Sequence, residues 1–145
     1  MNEQYSDDLL RHILSSVKTI AMVGASANPA RPSNGVMRFL HSRGYRVIPV
    51  NPNLAGPTLN GERVYKKLAD IGERIDMVDV FRNSEAARAV ADEAIAVGAK
   101  VLWMQLGVIN EAGAARARKA GMTVIMNRCP AIEIPRLFGN APPHG

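Results

Sequence analysis

The apolar run Ile20–Val23, halted abruptly at Gly24, constrains this chain more than any other feature of it. The stretch Thr19–Gly35 reads T-I-A-M-V-G-A-S-A-N-P-A-R-P-S-N-G, and a helical pattern begins after Ser33. Strand, tight turn and helix in that order form the phosphate-cradling unit of an α/β nucleotide fold. Gly24 and the small Ala25 and Ser26 let a ligand approach the backbone closely. The helix N-terminus beyond them offers unpaired N–H groups and a partial positive charge, both suited to phosphate. The spacing G-A-S-A-N-P is not G-x-G-x-x-G, so it indicates where a ligand sits and does not name a dinucleotide.

The rest of the chain repeats the alternation. Ser6 caps a first helix, whose Leu9, Leu10, Ile13, Leu14 and Val17 share one face, with His12 on the polar side. Strands are predicted at Tyr45–Val50, Ile75–Phe81, Lys100–Gln105 and Met122–Met126, with Val64–Tyr65 as a short edge strand. Pro49, which cannot donate to a ladder, suits a strand end or a bulge. Ser84 and Asn110 are positioned to cap the intervening helices, residues 54–62 read as loop, and Ala131–Phe138 as a broken final turn. Right-handed crossovers then place helices on both faces of a parallel sheet, a Rossmann-like α/β fold with strand order 3-2-1-4-5-6. At 145 residues this is one domain, 1–138, followed by G-N-A-P-P-H-G (139–145), expected as a disordered tail.

Charge and cysteine content narrow the function classes. The net charge of +5 comes from 18 Lys+Arg against 13 Asp+Glu, but the basic residues are dispersed, which argues against nucleic acid and fits a small polyanion. No apolar run is long enough for a membrane span, and the acidic start M-N-E-Q-Y-S-D-D lacks a signal-peptide layout. A single cysteine, Cys129, precludes an internal disulfide and agrees with a reducing compartment, so a cytoplasmic location is expected.

In such a sheet the ligand meets whatever follows each strand's carboxyl end. Here that is Gly24-Ala25-Ser26, Asn51-Pro52, Phe81-Arg82, Gln105-Leu106-Gly107 and Asn127-Arg128-Cys129. Arg82 and Arg31 can neutralise phosphate, whereas no Ser-His-Asp set, metal spacing or proton-sharing carboxylate pair is apparent. An NAD site calls for an acid after the second strand, and Asn51-Pro52 stands there instead. Asp79, a carboxylate inside an apolar strand, is expected to accept hydrogen bonds from loop N–H groups, with a catalytic acid as the alternative. Cys129 is expected to be a small buried hydrophobe, with a reactive thiol beside Arg128 as the alternative.

Taken together, V-G-A-S-A-N-P, G-Y-R-V-I-P-V-N-P, I-D-M-V-D-V-F-R, W-M-Q-L-G-V and N-R-C-P-A-I-E resemble the small stand-alone CoA-binding proteins related to the N-terminal domain of the succinyl-CoA synthetase α subunit. The resemblance runs from about Lys18 to Leu137 with the motifs in order. It implies a domain that binds coenzyme A or an acyl-CoA, as a non-catalytic sensor, carrier or regulatory module. By matching position, Gly24, Ala25, Ser26, Asn28 and Arg31 would form the phosphate loop and Asn51-Pro52 would flank the nucleotide. Phe81-Arg82 would contact the pantetheine and phosphate region, and Gln105 with Gly107 would close the crevice. Asn127 departs from the aspartate expected before Arg-Cys, and the synthetase's phosphorylated histidine belongs to a domain outside this stretch. The alternatives are an acyl-CoA-dependent transferase or thioesterase using Asp79 or Cys129, and an NAD(P)-binding module. A protein partner or a second copy is left open.

Overall fold

The apolar runs become the strands of one parallel sheet. The computed structural model describes residues 5–54 and 56–145. In chain order the elements are α1 (Asp7–Ser16), β1 (Thr19–Val23), α2 (Pro32–Ser42), β2 (Arg46–Val50), β3 (Thr58–Leu59), β4 (Glu62–Arg63) and a short helical turn at Leu68–Asp70. Then follow β5 (Met77–Val80), α3 (Ala87–Ala96), β6 (Val101–Met104), α4 (Glu111–Lys119), β7 (Thr123–Ile125) and α5 (Pro130–Phe138). The sheet order is β2-β1-β5-β6-β7, with every pair parallel.

The expected edge strand at Val64–Tyr65 is reduced to one bridge, Val50 to Tyr65. Tyr65 N–H donates to the Pro49 carbonyl (3.0 Å) and Asn51 N–H donates to the Tyr65 carbonyl (2.9 Å). Pro49 sits inside β2, opposite Met22, and the position where its N–H would be faces this outer edge. A longer ladder there would lack a donor, so the pairing stops. With Tyr65 counted, the spatial order is the expected one. Within residues 54–62, read as loop, the chain instead contributes to the small antiparallel hairpin β3–β4.

Alternate residues of each central strand feed two cores. Ala21, Val23, Val78, Val80, Leu102 and Met104 meet α3 and α4 on one face. Ile20, Met22, Met77, Trp103 and Ile125 meet α1, α2 and α5 on the other. Trp103 is fully buried, and its indole N–H donates to the Arg128 carbonyl at 2.9 Å. At the foot of the sheet, one Asp76 carboxylate oxygen accepts the Lys18 and Thr19 N–H groups at 3.0 Å each, tying β1 to the approach of β5.

Ser6 caps α1 through Leu9 N–H and Asn110 caps α4 through Gly113 N–H, as predicted. Ser84 does not cap α3. Its hydroxyl accepts Ile109 N–H, while Asn83 takes the N–H of Ala86 at the helix approach. The broken final turn is a continuous helix, α5, which accommodates Pro135. Residues 139–145, expected as disordered, fold back on the domain. Arg43 donates to the carbonyls of Gly139 and Ala141, and the His144 ring packs edge-on against Tyr45 with Nε2 2.7 Å from the Val17 carbonyl.

Candidate functional site

Gly24 ends β1 at the point where three strands are still joined. Its N–H donates to the Val50 carbonyl and Phe81 N–H donates to the Val23 carbonyl, both at 2.8 Å. Gly24 has φ +95°, and a Cβ there would lie 2.2 Å from the Phe81 carbonyl oxygen. No side chain fits, so glycine is required by both backbone conformation and space. The loop that follows holds itself in shape. Asn28 N–H donates to Ser26 Oγ (3.1 Å), Asn28 Oδ1 accepts Ala30 N–H (3.0 Å) and the Asn28 carbonyl accepts Arg31 N–H (3.0 Å). Pro32 then opens α2 at the first helical position, where a missing N–H costs nothing. The sequence pattern started the helix after Ser33.

Two amides brace this loop from either side. Asn34, buried in the first turn of α2, donates to the Ser26 carbonyl (2.9 Å) and accepts from Arg38 Nε (2.9 Å). Asn51, at the end of β2, donates to the Ala25 carbonyl (2.9 Å), and its oxygen accepts Asn53 N–H (2.9 Å).

Between these loops lies an open cleft of about 320 Å³, lined by Gly24, Ser26, Arg31, Pro32, Ser33, Asn51, Phe81 and Arg82. Among the described residues, neither Arg31 nor Arg82 directs its guanidinium to a hydrogen bond or an ion pair, and both are exposed. A second cleft of about 190 Å³ adjoins it and shares Arg82. Its lining includes Val23, Val50, Pro52, Lys66, Lys67, Val90 and Glu93. A roomier hollow, about 560 Å³, lies at the opposite end of the sheet beside His12, Arg74, Asp76 and Lys100. Size alone would favour it, but position favours the two smaller clefts, which sit at the carboxyl ends of β1, β2 and β5, where the strand order reverses.

Six of the residues predicted from sequence line the first cleft together: Gly24, Ser26, Arg31, Asn51, Phe81 and Arg82. Pro52 lines the second. Ala25 is fully buried behind the loop and Asn28 shapes it from within, so neither lines a cleft. Gln105 and Gly107 do not line either cleft. They follow β6, one strand further along the sheet, where Gly107 N–H donates to Asn127 Oδ1 at 2.7 Å. Asn127 therefore braces the exit loop of β6. Pro32 and Ser33 were missed as lining, although proline just inside a helix start was the available signal. Lys66 and Lys67 were missed because only the Tyr65–Val50 bridge brings them to the cleft.

Asp79 corrects another expectation. Its carboxyl is fully buried on the α1–α2–α5 side of the sheet, and among the described residues neither oxygen has a hydrogen-bond partner. No loop N–H reaches it. Burial alone pushes the Asp79 carboxyl well above the ordinary carboxylate range. Cys129 is buried, as expected, immediately before α5. Among the described residues there is no group of three or more His, Cys, Asp and Glu arranged to hold a metal, and no helix long and apolar enough to cross a membrane.

A family described as a CoA binding domain matches residues 18–135. The chain is 38% identical over 120 residues to protein YneT of Bacillus subtilis (strain 168), covering 83% of this chain and 87% of that one. A solved structure of a protein from Pyrococcus horikoshii OT3 superposes with a TM-score of 0.88 at 37% identity, covering 96% of this chain and 100% of that one. Subunit alpha of the ADP-forming acetate–CoA ligase I of Pyrococcus furiosus is 29% identical over 126 residues, 77% of this chain but 27% of that subunit.

Proposed function

The chain belongs to the CoA binding domain family, and from that premise we propose that it binds coenzyme A at the carboxyl ends of β1, β2 and β5. One observation carries the reading. Arg31 and Arg82 stand over a cleft whose floor is a glycine without room for a Cβ, and neither guanidinium has a protein partner among the described residues. Such a site matches a pyrophosphate, whose charge takes two arginines and whose oxygens can approach the bare backbone. Phe81 gives the same cleft an apolar wall for the pantetheine arm.

The role is that of a sensor, carrier or regulatory module. Asp79 and Cys129, the groups a transferase or thioesterase mechanism would have to use, are buried and line neither cleft. The ligase subunit's name refers to a protein of which this chain spans about a quarter, and that activity is not carried across.

Calorimetric titration with CoA, NAD, NADP and ATP tests the reading, and the absence of CoA binding at millimolar ligand overturns it. Arg82→Ala sharpens it, because the exposed side chain contributes nothing to either core. Loss of one charge-assisted phosphate contact should weaken CoA binding by roughly 1.5–3 kcal/mol, about ten- to a hundredfold, with an unchanged melting temperature. A lower melting temperature with unchanged affinity would make Arg82 a brace for its loop.

A further inference from the structure

We infer that the second cleft seats the purine-ribose end of the ligand, and that Lys66 and Lys67 there select a ribose carrying its own phosphomonoester. The inference rests on the coenzyme A reading and deepens it.

Three observations carry it. First, the two clefts share Arg82, so one nucleotide can run from the glycine turn into the second cleft without a break. Second, that cleft has an apolar floor of Val23, Val50 and Val90 beside the rigid ring of Pro52, which suits the flat face of a purine. Third, its charge is one-sided: Lys66, Lys67 and Arg82 against the single carboxylate of Glu93.

The placement of the two lysines is built in. Tyr65, just before them, is fixed to β2 by hydrogen bonds with Pro49 and Asn51. Leu68, just after them, is 1% exposed in the core. The chain between is pinned at both ends and delivers two exposed lysines to the rim at the carboxyl end of β2. Neither ammonium has a hydrogen bond or ion pair among the described residues.

This arrangement is the electrostatic inverse of a site for an unmodified ribose. There, an acid at the end of the second strand accepts from the free hydroxyls. Here that position is Asn51, whose side chain is committed to Ala25 and Asn53, and the nearby charge is positive. With Arg82 turned to the pyrophosphate, a ribose with free hydroxyls leaves Lys66 and Lys67 unneutralised, whereas a ribose phosphate pairs with them.

The test is calorimetric titration of the full chain with CoA and 3′-dephospho-CoA, with NADP and NAD as a second matched pair. CoA should bind roughly ten- to a hundredfold more tightly than 3′-dephospho-CoA, the effect of charge-assisted contacts to one phosphate. In Lys66→Ala/Lys67→Ala the ratio should shrink toward one, with 3′-dephospho-CoA affinity nearly unchanged. Both lysines are exposed, so the variant should melt like the parent, and Lys66→Gln/Lys67→Gln gives the same comparison with side-chain length kept. Equal binding of the first pair, or a ratio that survives in both double variants, overturns the inference and leaves the coenzyme A reading standing. No binding of either CoA form overturns that reading. In that case a preference for NADP over NAD, lost in the same variants, would keep the ribose-phosphate subsite, and its absence would remove it.

Discussion

Two aspartates three positions apart show how little a residue's type says about its charge. Asp76 also pays for desolvation, but the Thr19 and Lys18 N–H groups, helped by Arg74 and Lys100, hold its carboxyl below the ordinary range. Asp79 has burial and no compensation, and its carboxyl is held well above that range. Its effect on stability has a definite sign. Native Asp79 keeps a proton that an unfolded chain, titrating near 3.8, gives up. Its contribution is therefore complete below that value and declines as pH rises toward the native pKa. Asp79→Asn removes the titration, so its stability relative to the parent should improve as pH rises from about 4 toward neutrality, at a slope of up to about 1.4 kcal/mol per pH unit. Denaturant unfolding across that range checks it, and parallel stability–pH curves would refute it. The sequence singled out Asp79 as anomalous, but its isolation was not legible: whether a loop N–H reaches a buried carboxyl depends on three-dimensional packing.

At the scale of elements, the turn from β1 to α2 joins stability to ligand access. Gly24→Ala would place a methyl group against the Phe81 carbonyl and force an L-residue into a left-handed conformation. Gly107→Ala has the same conformational problem at φ +84°, but nothing lies within 4 Å of its Cβ. The Gly107 change should cost about 1–2 kcal/mol, and the Gly24 change clearly more, because a strand carbonyl cannot move aside cheaply. Denaturant midpoints of the two variants measure the difference, and only Gly24→Ala should also weaken CoA binding. Equal costs would mean that the β1–β5 junction yields freely. Ile20–Val23 and Gly24 were legible because strand burial and a turn leave local composition signals. The hairpin β3–β4 shows in the sequence only as its turn, Asn60-Gly61, both at positive φ, since two-residue strands carry no periodicity. Strand order alone points Gln105 and Gly107 to the crevice, and neither is among the residues lining the two clefts at β1, β2 and β5.

For the whole molecule, residues 139–145 tie back to the amino end of β1 and the approach to β2. His144 reaches the Val17 carbonyl and Tyr45, whose hydroxyl donates to the Leu14 carbonyl. These contacts lie at the amino end of β1, away from the ligand clefts. His144→Ala should lower the melting temperature by roughly 2–6 °C, for a loss of about 1 kcal/mol, and leave CoA affinity unchanged. A thermal melt and a titration on the same variant check both halves, and an unaltered melting temperature would mean that the segment adds no stability. G-N-A-P-P-H-G has the composition of a tail, and only the partners Val17, Arg43 and Tyr45 make it part of the fold. Pro49 has a consequence at this scale too. A sheet margin with regularly spaced donors is a template on which another chain can add a strand, the first step toward fibrous association. Because Pro49 interrupts those donors and Tyr65 occupies the one good bridge, the β2 margin is a poor template. The residue that shortens the sheet also protects the molecule from its own copies along that side.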